Sequence, residues 1–478
     1  MNKKEPSPRN SIWFLGLFLG LLSFLLTLIL PPPQNFSLEA WHTLGVGLWM
    51  AIWWMLEIVP LAVTALLPLV LMPLLGVRTV AQTASDYGDP LIFLFLSGFL
   101  MAQAMQRWGL HERLALSLIM RTGTKPAALV GGFMVATAFL SMWVSNTATA
   151  MMMYPIGVST LNLLKNEKGE FRDIYLPIAL MLSIAYAANI GGVATLIGTP
   201  PNVMAAAFIE KEFHILIPFW RWMLFGFPLA VCLLVFAYFL LTRWVFTLSK
   251  EEIIGVREHI REQIIHLGPV RQEEKAVAAV LGIVVFLWLF KPVLGSWIAS
   301  LSDTVIALMG VITLFLWPVD LKQKKFLLSR EALQAVPWEV LILFGGGLSL
   351  AASIESSQLT VGLSQITHHF RFLPSFLLFI FFAGMALLLS ELASNTATVA
   401  VLLPIVSSFA VGLGDNPLPF MIAIALAASC AFMMPVGTPP NAIIFGSGWV
   451  EVKHMVRAGF WLNLAALTLI TAIVLIAF

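Results

Sequence analysis

Charged side chains are scarce in this sequence and make up 11% of its 478 residues. Soluble globular domains carry roughly 25% charged residues, so the composition excludes a soluble globular protein. The 27 basic and 25 acidic residues leave a net charge of +2. They lie between apolar runs rather than in a basic stripe, which argues against a nucleic-acid partner. With 59% hydrophobic residues, the chain is predicted to be a polytopic membrane protein surrounded by lipid.

Cysteine is nearly absent as well. Cys232 and Cys430 are the two cysteines of the sequence, and both stand within apolar runs, where packing is a better interpretation than a disulfide or a metal pair. The His-Glu-x-x-His motif of an intramembrane metalloenzyme is also missing, because His111-Glu112 is followed by Ala115 in place of the second histidine. The sequence therefore predicts a protein that is not an enzyme and that carries no organic cofactor.

What the sequence does contain is one polar stretch that occurs twice. Residues 141–149 read Ser-Met-Trp-Val-Ser-Asn-Thr-Ala-Thr and residues 390–398 read Ser-Glu-Leu-Ala-Ser-Asn-Thr-Ala-Thr, an offset of 249 positions (390 − 141). Each copy is followed downstream by Gly-Thr-Pro-Pro-Asn, at residues 198–202 and 437–441. Corresponding interruptions of apolar sequence in the two halves of a membrane protein are typical of the binding site of a transporter.

The hydropathy pattern predicts which segments of the chain cross or enter a membrane. Residues 12–30 are apolar over a length that suits a retained first span rather than a signal peptide, with the N-terminus in the cytoplasm. Residues 126–164 and 374–409 have a polar centre and are interpreted as re-entrant hairpins, and residues 174–208 and 417–447 as broken helices. Because paired prolines remove backbone donors, the breaks are expected at the two Gly-Thr-Pro-Pro-Asn motifs.

An odd number of spans separates the hairpins, so they are predicted to enter the membrane from opposite sides. The expected fold is all-α, with about 11 transmembrane helices, two re-entrant hairpins and two inverted repeats. We expect the C-terminus outside the cell, and the short loops and the lack of a targeting peptide indicate a bacterial inner membrane. The predicted divisions are 1–40 for the N-terminus and first span, 41–246 for the first repeat, 247–275 for a cytoplasmic linker and 276–478 for the second repeat.

The first polar stretch carries groups that suit both an anion and a cation. Ser145, Asn146 and Thr147 supply hydroxyl and amide groups, which donate to an anion and offer oxygen atoms to a cation. At a hairpin tip, the free N–H groups of the returning helix favour an anionic oxygen, while carbonyl groups that end a half-helix coordinate sodium. Ser141 and Ser145 are four residues apart and share one helix face. Together with the carbonyl group of Gly198 they form a candidate sodium site.

The second polar stretch repeats this spacing. Ser390, Ser394 and Asn395, with the backbone at Ala393 and Gly437, form a second candidate sodium site. Serine and threonine in membrane helices also bond to a preceding carbonyl group or allow close helix packing. That interpretation stays open for each hydroxyl taken singly, whereas the matched pair of motifs favours a binding site.

Three other polar residues stand in or near the apolar segments. Glu391 is an intramembrane carboxylate, and its counterpart in the first stretch is Met142. Such a carboxylate is a functional hypothesis by default: it raises the affinity for a cation, carries a proton, or pairs with a partner on a scaffold helix. His368 and His369 are interpreted as solvent-facing residues near the outer surface rather than as metal ligands.

At these residues the sequence resembles the divalent anion:sodium symporter family, the INDY-type dicarboxylate and citrate transporters of the ion transporter superfamily. The resemblance covers nearly the whole chain and implies a homodimer with an elevator-type mobile domain. The residues that it implies for the substrate are Ser145, Asn146, Thr147, Thr199, Pro200, Ser394, Asn395, Thr396, Thr438 and Pro439. The residues that it implies for sodium are Ser141, Ser145, Asn146 and Gly198 for one ion, and Ser390, Ala393, Asn395 and Gly437 for the other. The family often has threonine at the position of Ser390, which implies a weaker second site.

The leading hypothesis is a sodium-coupled importer of C4 dicarboxylates such as succinate, malate or fumarate, with about two or more sodium ions per substrate. The alternatives are a sodium-independent dicarboxylate exchanger and a sodium-coupled tricarboxylate (citrate) transporter of the same family. Exchangers of the family keep the same motifs, so the motifs alone leave these alternatives open. A channel is disfavoured because two hairpins that meet tip to tip close a site rather than line a continuous pore.

Overall fold

The computed structural model describes residues 8–34, 36–164, 171, 173–253, 255–294, 298, 301–362 and 374–477. In the first half its helices are Pro8–Ile29, Leu38–Leu56, Leu61–Ala65, Leu67–Leu74, Val80–Ser85, Pro90–Arg107, Leu110–Met120, Pro126–Ser141, Asn146–Leu163, Leu176–Val193, Pro200–Phe213 and Phe219–Phe239, with a 3-10 turn over Asp86–Gly88 and a π-helical turn over Leu240–Trp244. In the second half they are Val256–His266, Gln272–Leu294, Asp303–Leu316, Arg330–Gln334, Trp338–Ser356, Ser375–Ser390, Asn395–Leu413, Pro417–Ala428, Pro439–Gly446 and Val452–Ala477. The two short strands Pro318–Asp320 and Lys325–Phe326 pair antiparallel.

The predicted all-α membrane fold is confirmed. Seven of the described helices are long and apolar enough to cross a membrane, judged by length and composition. A span needs about 20 residues to cross a hydrocarbon layer about 30 Å thick. Large apolar side chains on the outside of the protein remain exposed, among them Phe14, Phe18 and Ile476, as expected of a surface that faces lipid.

Both polar stretches lie where a pair of apolar helices turns back. We call the first pair hairpin 1 (Pro126–Ser141 and Asn146–Leu163) and the second pair hairpin 2 (Ser375–Ser390 and Asn395–Leu413). Ser145 caps the returning helix of hairpin 1, and its side chain accepts a hydrogen bond from the backbone N–H of Ala148. Ser394 holds the same N-cap position in hairpin 2. Serine is a favoured N-cap residue, so the Ser-Asn-Thr tripeptide marks the start of each second arm.

Each hairpin is followed by two shorter helices with a break between them. We call these broken helix 1 (Leu176–Val193 and Pro200–Phe213) and broken helix 2 (Pro417–Ala428 and Pro439–Gly446). The breaks themselves are residues 194–199 and 429–438. The expectation that the prolines form the breaks is therefore wrong. Proline at the first positions of a helix lacks an N–H group that has no helical partner there anyway, so each proline pair begins the second half-helix.

The two broken helices form the centre of the protein. Every residue of Leu176–Val193 is buried, as is nearly every residue of Pro417–Ala428. The first half of each broken helix packs against both arms of its own hairpin and against the second half of the other broken helix. The second half of each broken helix also packs against the returning arm of the hairpin in the other repeat. This reciprocal packing brings both polar stretches and both breaks into the core.

The predicted linker between the halves has structure of its own. Residues 247–275 contain the helix Val256–His266, which packs against Leu110–Met120 and against the returning arm of hairpin 1. At the end of the linker, Arg113 forms an ion pair of 2.6 Å with Glu274. His368 and His369, interpreted above as solvent-facing, lie outside the described residues.

Candidate functional site

Three oxygen atoms meet at the tip of hairpin 1. Oγ of Ser141 lies 2.6 Å from the carbonyl oxygen of Ala188 and 2.8 Å from Oδ1 of Asn146. The hydroxyl has one proton and can donate it to one of these acceptors at a time. The cluster therefore leaves oxygen lone pairs without a donor, and oxygen is the ligand that hard cations prefer. Two of the predicted sodium ligands, Ser141 and Asn146, are thus in direct contact and fit a cation.

Ser145 and Gly198 are the other two predicted ligands of this ion, and Gly198 reaches the cluster through a second glycine. A β-carbon on Gly192 would overlap Oδ1 of Asn146, and a β-carbon on Gly198 would lie 2.5 Å from the carbonyl oxygen of Gly192. The absence of both side chains lets the break of broken helix 1 pack against the hairpin tip. Gly192 and Ala188 were not among the predicted site residues, because their place follows from tertiary packing.

The tip of hairpin 2 presents two buried polar atoms without a partner among the described residues. These are Oγ of Ser390 and Oδ1 of Asn395, which match Ser141 and Asn146 at the offset of 249 positions. A buried polar group without a hydrogen bond costs about 1–3 kcal/mol. Both atoms are oxygen acceptors suited to a cation.

The other two predicted members of the second sodium site lie beside the same tip. Ala393 is buried. Gly437 packs against the first residue of the tip, so that a β-carbon there would lie 3.1 Å from Oε2 of Glu391.

The asparagine that ends each Gly-Thr-Pro-Pro-Asn motif secures the break that precedes it. Nδ2 of Asn202 donates to the carbonyl oxygens of Gly192 and Thr195, at 3.0 and 2.8 Å. Nδ2 of Asn441 donates to the carbonyl oxygens of Ala431 and Met434, at 3.2 and 3.0 Å. The acceptors lie ten and seven residues before the asparagine in both copies. Each asparagine therefore replaces helical partners that the carbonyl groups lose in the break.

The threonine of the motif differs between the two copies. Oγ1 of Thr438 caps its half-helix by accepting from the backbone N–H of Asn441 at 3.3 Å, and it also accepts from Nδ2 of Asn189 at 2.9 Å. The side chain of Thr199 makes no capping hydrogen bond. Both threonines are buried. The contact with Asn189 joins broken helix 1 to broken helix 2 at a predicted substrate residue.

Two of the three predicted substrate residues of hairpin 2 border a cavity. Ser394 and Thr396 line a space of about 500 Å³ together with Glu57 and Glu339. Ser394 is half-buried and Thr396 is buried, whereas both glutamates are exposed. The cavity therefore links the hairpin tip with exposed carboxylates near the ends of two other helices.

The predicted substrate residues of hairpin 1 and the prolines differ in exposure. Ser145, Asn146 and Thr147 are each half-buried, so parts of the first Ser-Asn-Thr tripeptide remain accessible. Pro200 is half-buried and Pro439 is exposed. Corresponding residues of the two Gly-Thr-Pro-Pro-Asn motifs therefore differ in how far they are exposed.

Glu391, for which a partner on another helix was one of three alternatives, also contacts the backbone of the second break, which was not predicted. Its Oε1 accepts hydrogen bonds from the backbone N–H groups of Phe432 and Met433, at 2.8 and 2.9 Å, and its Oε2 accepts from that of Met434 at 2.8 Å. Nδ2 of Asn463, on the last helix, donates to Oε1 at 2.7 Å. The carboxylate is therefore bound by the second break and by the last helix.

Two helical hairpins whose polar tips meet two broken helices define a secondary membrane transporter. A family model described as the sodium:sulfate symporter transmembrane region matches residues 11–477. The chain belongs to this family of membrane transporters.

Named relatives match this chain along almost its full length. The sodium-dependent dicarboxylate transporter SdcS of Staphylococcus saprophyticus is 40% identical over 481 residues, which cover 99% of this chain and 93% of the relative. SdcS of Staphylococcus aureus strain NCTC 8325 is 39% identical over 479 residues, which cover 98% of this chain and 92% of the relative. The fold is similar to the crystal structure of the Alcanivorax borkumensis YdaH transporter, with a TM-score of 0.61, 16% identity and 97% of each chain covered.

Proposed function

We propose that the protein is a secondary active transporter that couples the uptake of a C4 dicarboxylate, such as succinate, malate or fumarate, to sodium. The observation that carries the proposal is a cluster of oxygen atoms at each hairpin tip. At the first tip the hydroxyl of Ser141 lies between two acceptor oxygen atoms and has one proton to donate. At the second tip two buried oxygen atoms have no partner among the described residues. The relatives named sodium-dependent dicarboxylate transporter, at 39% and 40% identity, support the same assignment.

Sodium binds at both tips in this proposal. The ligands of the first ion are Ser141, Ser145, Asn146 and the backbone of Gly198, and the ligands of the second ion are Ser390, Ala393, Asn395 and Gly437. The contact between Ser141 and Asn146 supports the first site, and the buried oxygen atoms of Ser390 and Asn395 support the second.

The dicarboxylate binds between the two tips. Its carboxylates accept hydrogen bonds from the two Ser-Asn-Thr tripeptides, and the Thr-Pro pairs of the broken helices line the space between them. The residues in these roles are Ser145, Asn146, Thr147, Thr199, Pro200, Ser394, Asn395, Thr396, Thr438 and Pro439. Hydroxyl and amide groups at a helix N-terminus suit a carboxylate.

Charge balance explains why sodium and substrate travel together. The residues proposed for substrate include no lysine or arginine, and a helix end contributes only about half a charge. A dicarboxylate carries two negative charges at neutral pH. About two sodium ions beside the carboxylates supply the missing positive charge.

We further propose that transport proceeds by an elevator-type motion within a homodimer. The inverted repeats would be residues 41–246 and 276–478, joined by the cytoplasmic linker 247–275. The reciprocal packing of each hairpin with both broken helices supports a mobile unit that carries both tips together. The protein would lie in a bacterial plasma membrane with its N-terminus in the cytoplasm and its C-terminus outside.

Flux through proteoliposomes tests the proposal. We expect uptake of labelled succinate under an inward sodium gradient, little uptake when choline replaces sodium, and competition by malate and fumarate. Uptake that needs internal dicarboxylate and ignores sodium would instead identify an exchanger. Competition by citrate stronger than that by succinate would identify a tricarboxylate transporter.

A further inference from the structure

The buried carboxylate of Glu391 holds the second break in its unwound shape. The side chain is 2% exposed and accepts from three consecutive backbone N–H groups, those of Phe432, Met433 and Met434. These groups have left the helix that ends at Ala428. The carbonyl groups of the same segment are bound by the amide of the downstream motif. Both kinds of backbone group in the break therefore have side-chain partners.

The first repeat achieves its break without a carboxylate. Met142 stands at the position of Glu391, and its carbonyl oxygen accepts a hydrogen bond of 2.6 Å from Oγ1 of Thr195. The break there covers six residues (194–199), against ten (429–438) in the second repeat. The longer break coincides with the carboxylate that binds its N–H groups.

The contacts of Glu391 suit an ionised carboxylate. Among the described residues its four hydrogen-bond partners are all donors, three backbone N–H groups and Nδ2 of Asn463. A carboxylate accepts all of them, whereas a carboxamide would turn an N–H₂ group toward N–H donors. Removing a buried charge from water is costly unless several donors surround it, and here four do.

We propose that Glu391 is the positioning residue of the second sodium site. This inference rests on the proposed sodium coupling. Glu391 follows Ser390 directly, and a β-carbon on Gly437 would lie 3.1 Å from its Oε2. By binding residues 432–434 the carboxylate fixes the backbone of the break to the hairpin tip that also carries Ser390 and Asn395. It acts through the backbone and touches neither sodium nor substrate.

Cys430 provides a direct probe of this role. It is buried at the start of the second break, and Cys232 is the other free cysteine. In the full chain with Cys232→Ala, Cys430 is the sole thiol, so its modification by a small membrane-permeant maleimide reports opening of the break. We expect Glu391→Gln to raise the modification rate at least about tenfold in choline, since the unwound segment loses its anchor. We call the full chain with Cys232→Ala alone the parent chain. Sodium should slow the modification of Cys430 in the parent chain.

Sodium kinetics give the second readout. Glu391→Gln should raise the sodium concentration for half-maximal succinate uptake at least about tenfold, while the succinate KM at saturating sodium changes less than about threefold. Glu391→Asp keeps the charge on a shorter side chain and should show a smaller shift. Glu451→Gln is the matched control, because this glutamate is exposed and pairs with Lys453. It should behave as the parent chain does.

The outcomes separate the inference from the proposed function. If the parent chain is sodium-dependent but Glu391→Gln leaves both the Cys430 rate and the sodium requirement unchanged, the positioning role is wrong while sodium coupling stands. If sodium affects neither uptake nor Cys430 in the parent chain, the proposed function fails and the inference with it. Should Glu391→Gln fail to insert, Asn463→Ala decides: it should shift both readouts about threefold in the same direction, and parent-like values would overturn the inference.

Discussion

Nδ2 of Asn189 donates a hydrogen bond of 2.9 Å to Oγ1 of Thr438. Asn189 lies in broken helix 1, and Thr438 caps the second half of broken helix 2. The residue before Asn189 is Ala188, whose carbonyl oxygen lies 2.6 Å from the hydroxyl of Ser141. Two adjacent residues of broken helix 1 therefore contact the two sites: Ala188 contacts the first oxygen cluster, and Asn189 contacts a proposed substrate residue of the other repeat.

Removal of this link should weaken substrate binding without unfolding the protein. Asn189→Ala leaves Oγ1 of Thr438 without its donor from broken helix 1, at a cost of about 1–3 kcal/mol. We expect the succinate KM to rise at least about tenfold. Ser183→Ala is the control, since Ser183 lies on the same helix and its hydroxyl donates to the backbone carbonyl oxygen of Leu180 in that helix. Equal KM values for the two variants would exclude a role of Asn189 in the site.

The glycine that contacts the first tip offers a steric test. A β-carbon in Gly192→Ala would overlap Oδ1 of Asn146, so the amide must leave the oxygen cluster. Alanine favours a helix over glycine by about 1 kcal/mol, and a loss of sodium-dependent uptake therefore cannot come from helix propensity. We expect uptake to fall at least about tenfold. Gly47→Ala should retain uptake, because among the described residues the β-carbon would meet only Cδ1 of Leu350, at 3.7 Å.

The two tip asparagines should be essential for uptake. Asn146→Ala and Asn395→Ala each remove the amide that serves a cation and a carboxylate in the proposed site, with a loss of roughly 1–3 kcal/mol or more. We expect uptake to be abolished while expression and the oligomeric state remain those of the unmodified protein. Thr468→Ala is a suitable control, because the hydroxyl of Thr468 donates to the carbonyl oxygen of Leu464 within its own helix. Uptake at the unmodified rate in either tip variant would remove that tip from the binding site.

The asparagines of the Gly-Thr-Pro-Pro-Asn motifs should stabilise the folded protein to a similar extent in both repeats. Asn202→Asp and Asn441→Asp each replace a donor by an oxygen atom that faces two carbonyl groups. An unsatisfied buried group costs about 1–3 kcal/mol. We expect both variants to melt several degrees lower than the unmodified protein in a thermal unfolding assay. Unchanged melting in one of them would show that its break is held by other contacts.

The sequence predicted the parts of the fold that depend on local chemistry. The polar centre of each long apolar stretch predicted a pair of helices, and serine as a favoured N-cap explains why each second helix begins there. The breaks were misplaced because the prolines were taken as helix breakers, although Pro200 and Pro439 occupy the first turn of a helix, where proline is favoured.

Contacts between distant segments were beyond local reasoning. Glu391 and Asn463 are 72 residues apart, and no periodicity relates them. The role of Asn202 and Asn441 had a signal, since the residue recurs in both motifs, but its acceptors become evident only once the breaks are located. The pairing of Ser141 with Asn146 was closest to prediction, because both belong to one hairpin tip.

Sodium and substrate should bind cooperatively, because the sodium ions supply the positive charge that the site lacks. By linkage, each ligand raises the affinity for the other by the same factor. The most direct measurement is the succinate dissociation constant of the purified protein in sodium and in choline. We predict at least about tenfold tighter binding in sodium, a coupling of roughly 1.4 kcal/mol, and a smaller ratio in Ser390→Ala. Equal succinate affinity in the two salts would contradict sodium coupling.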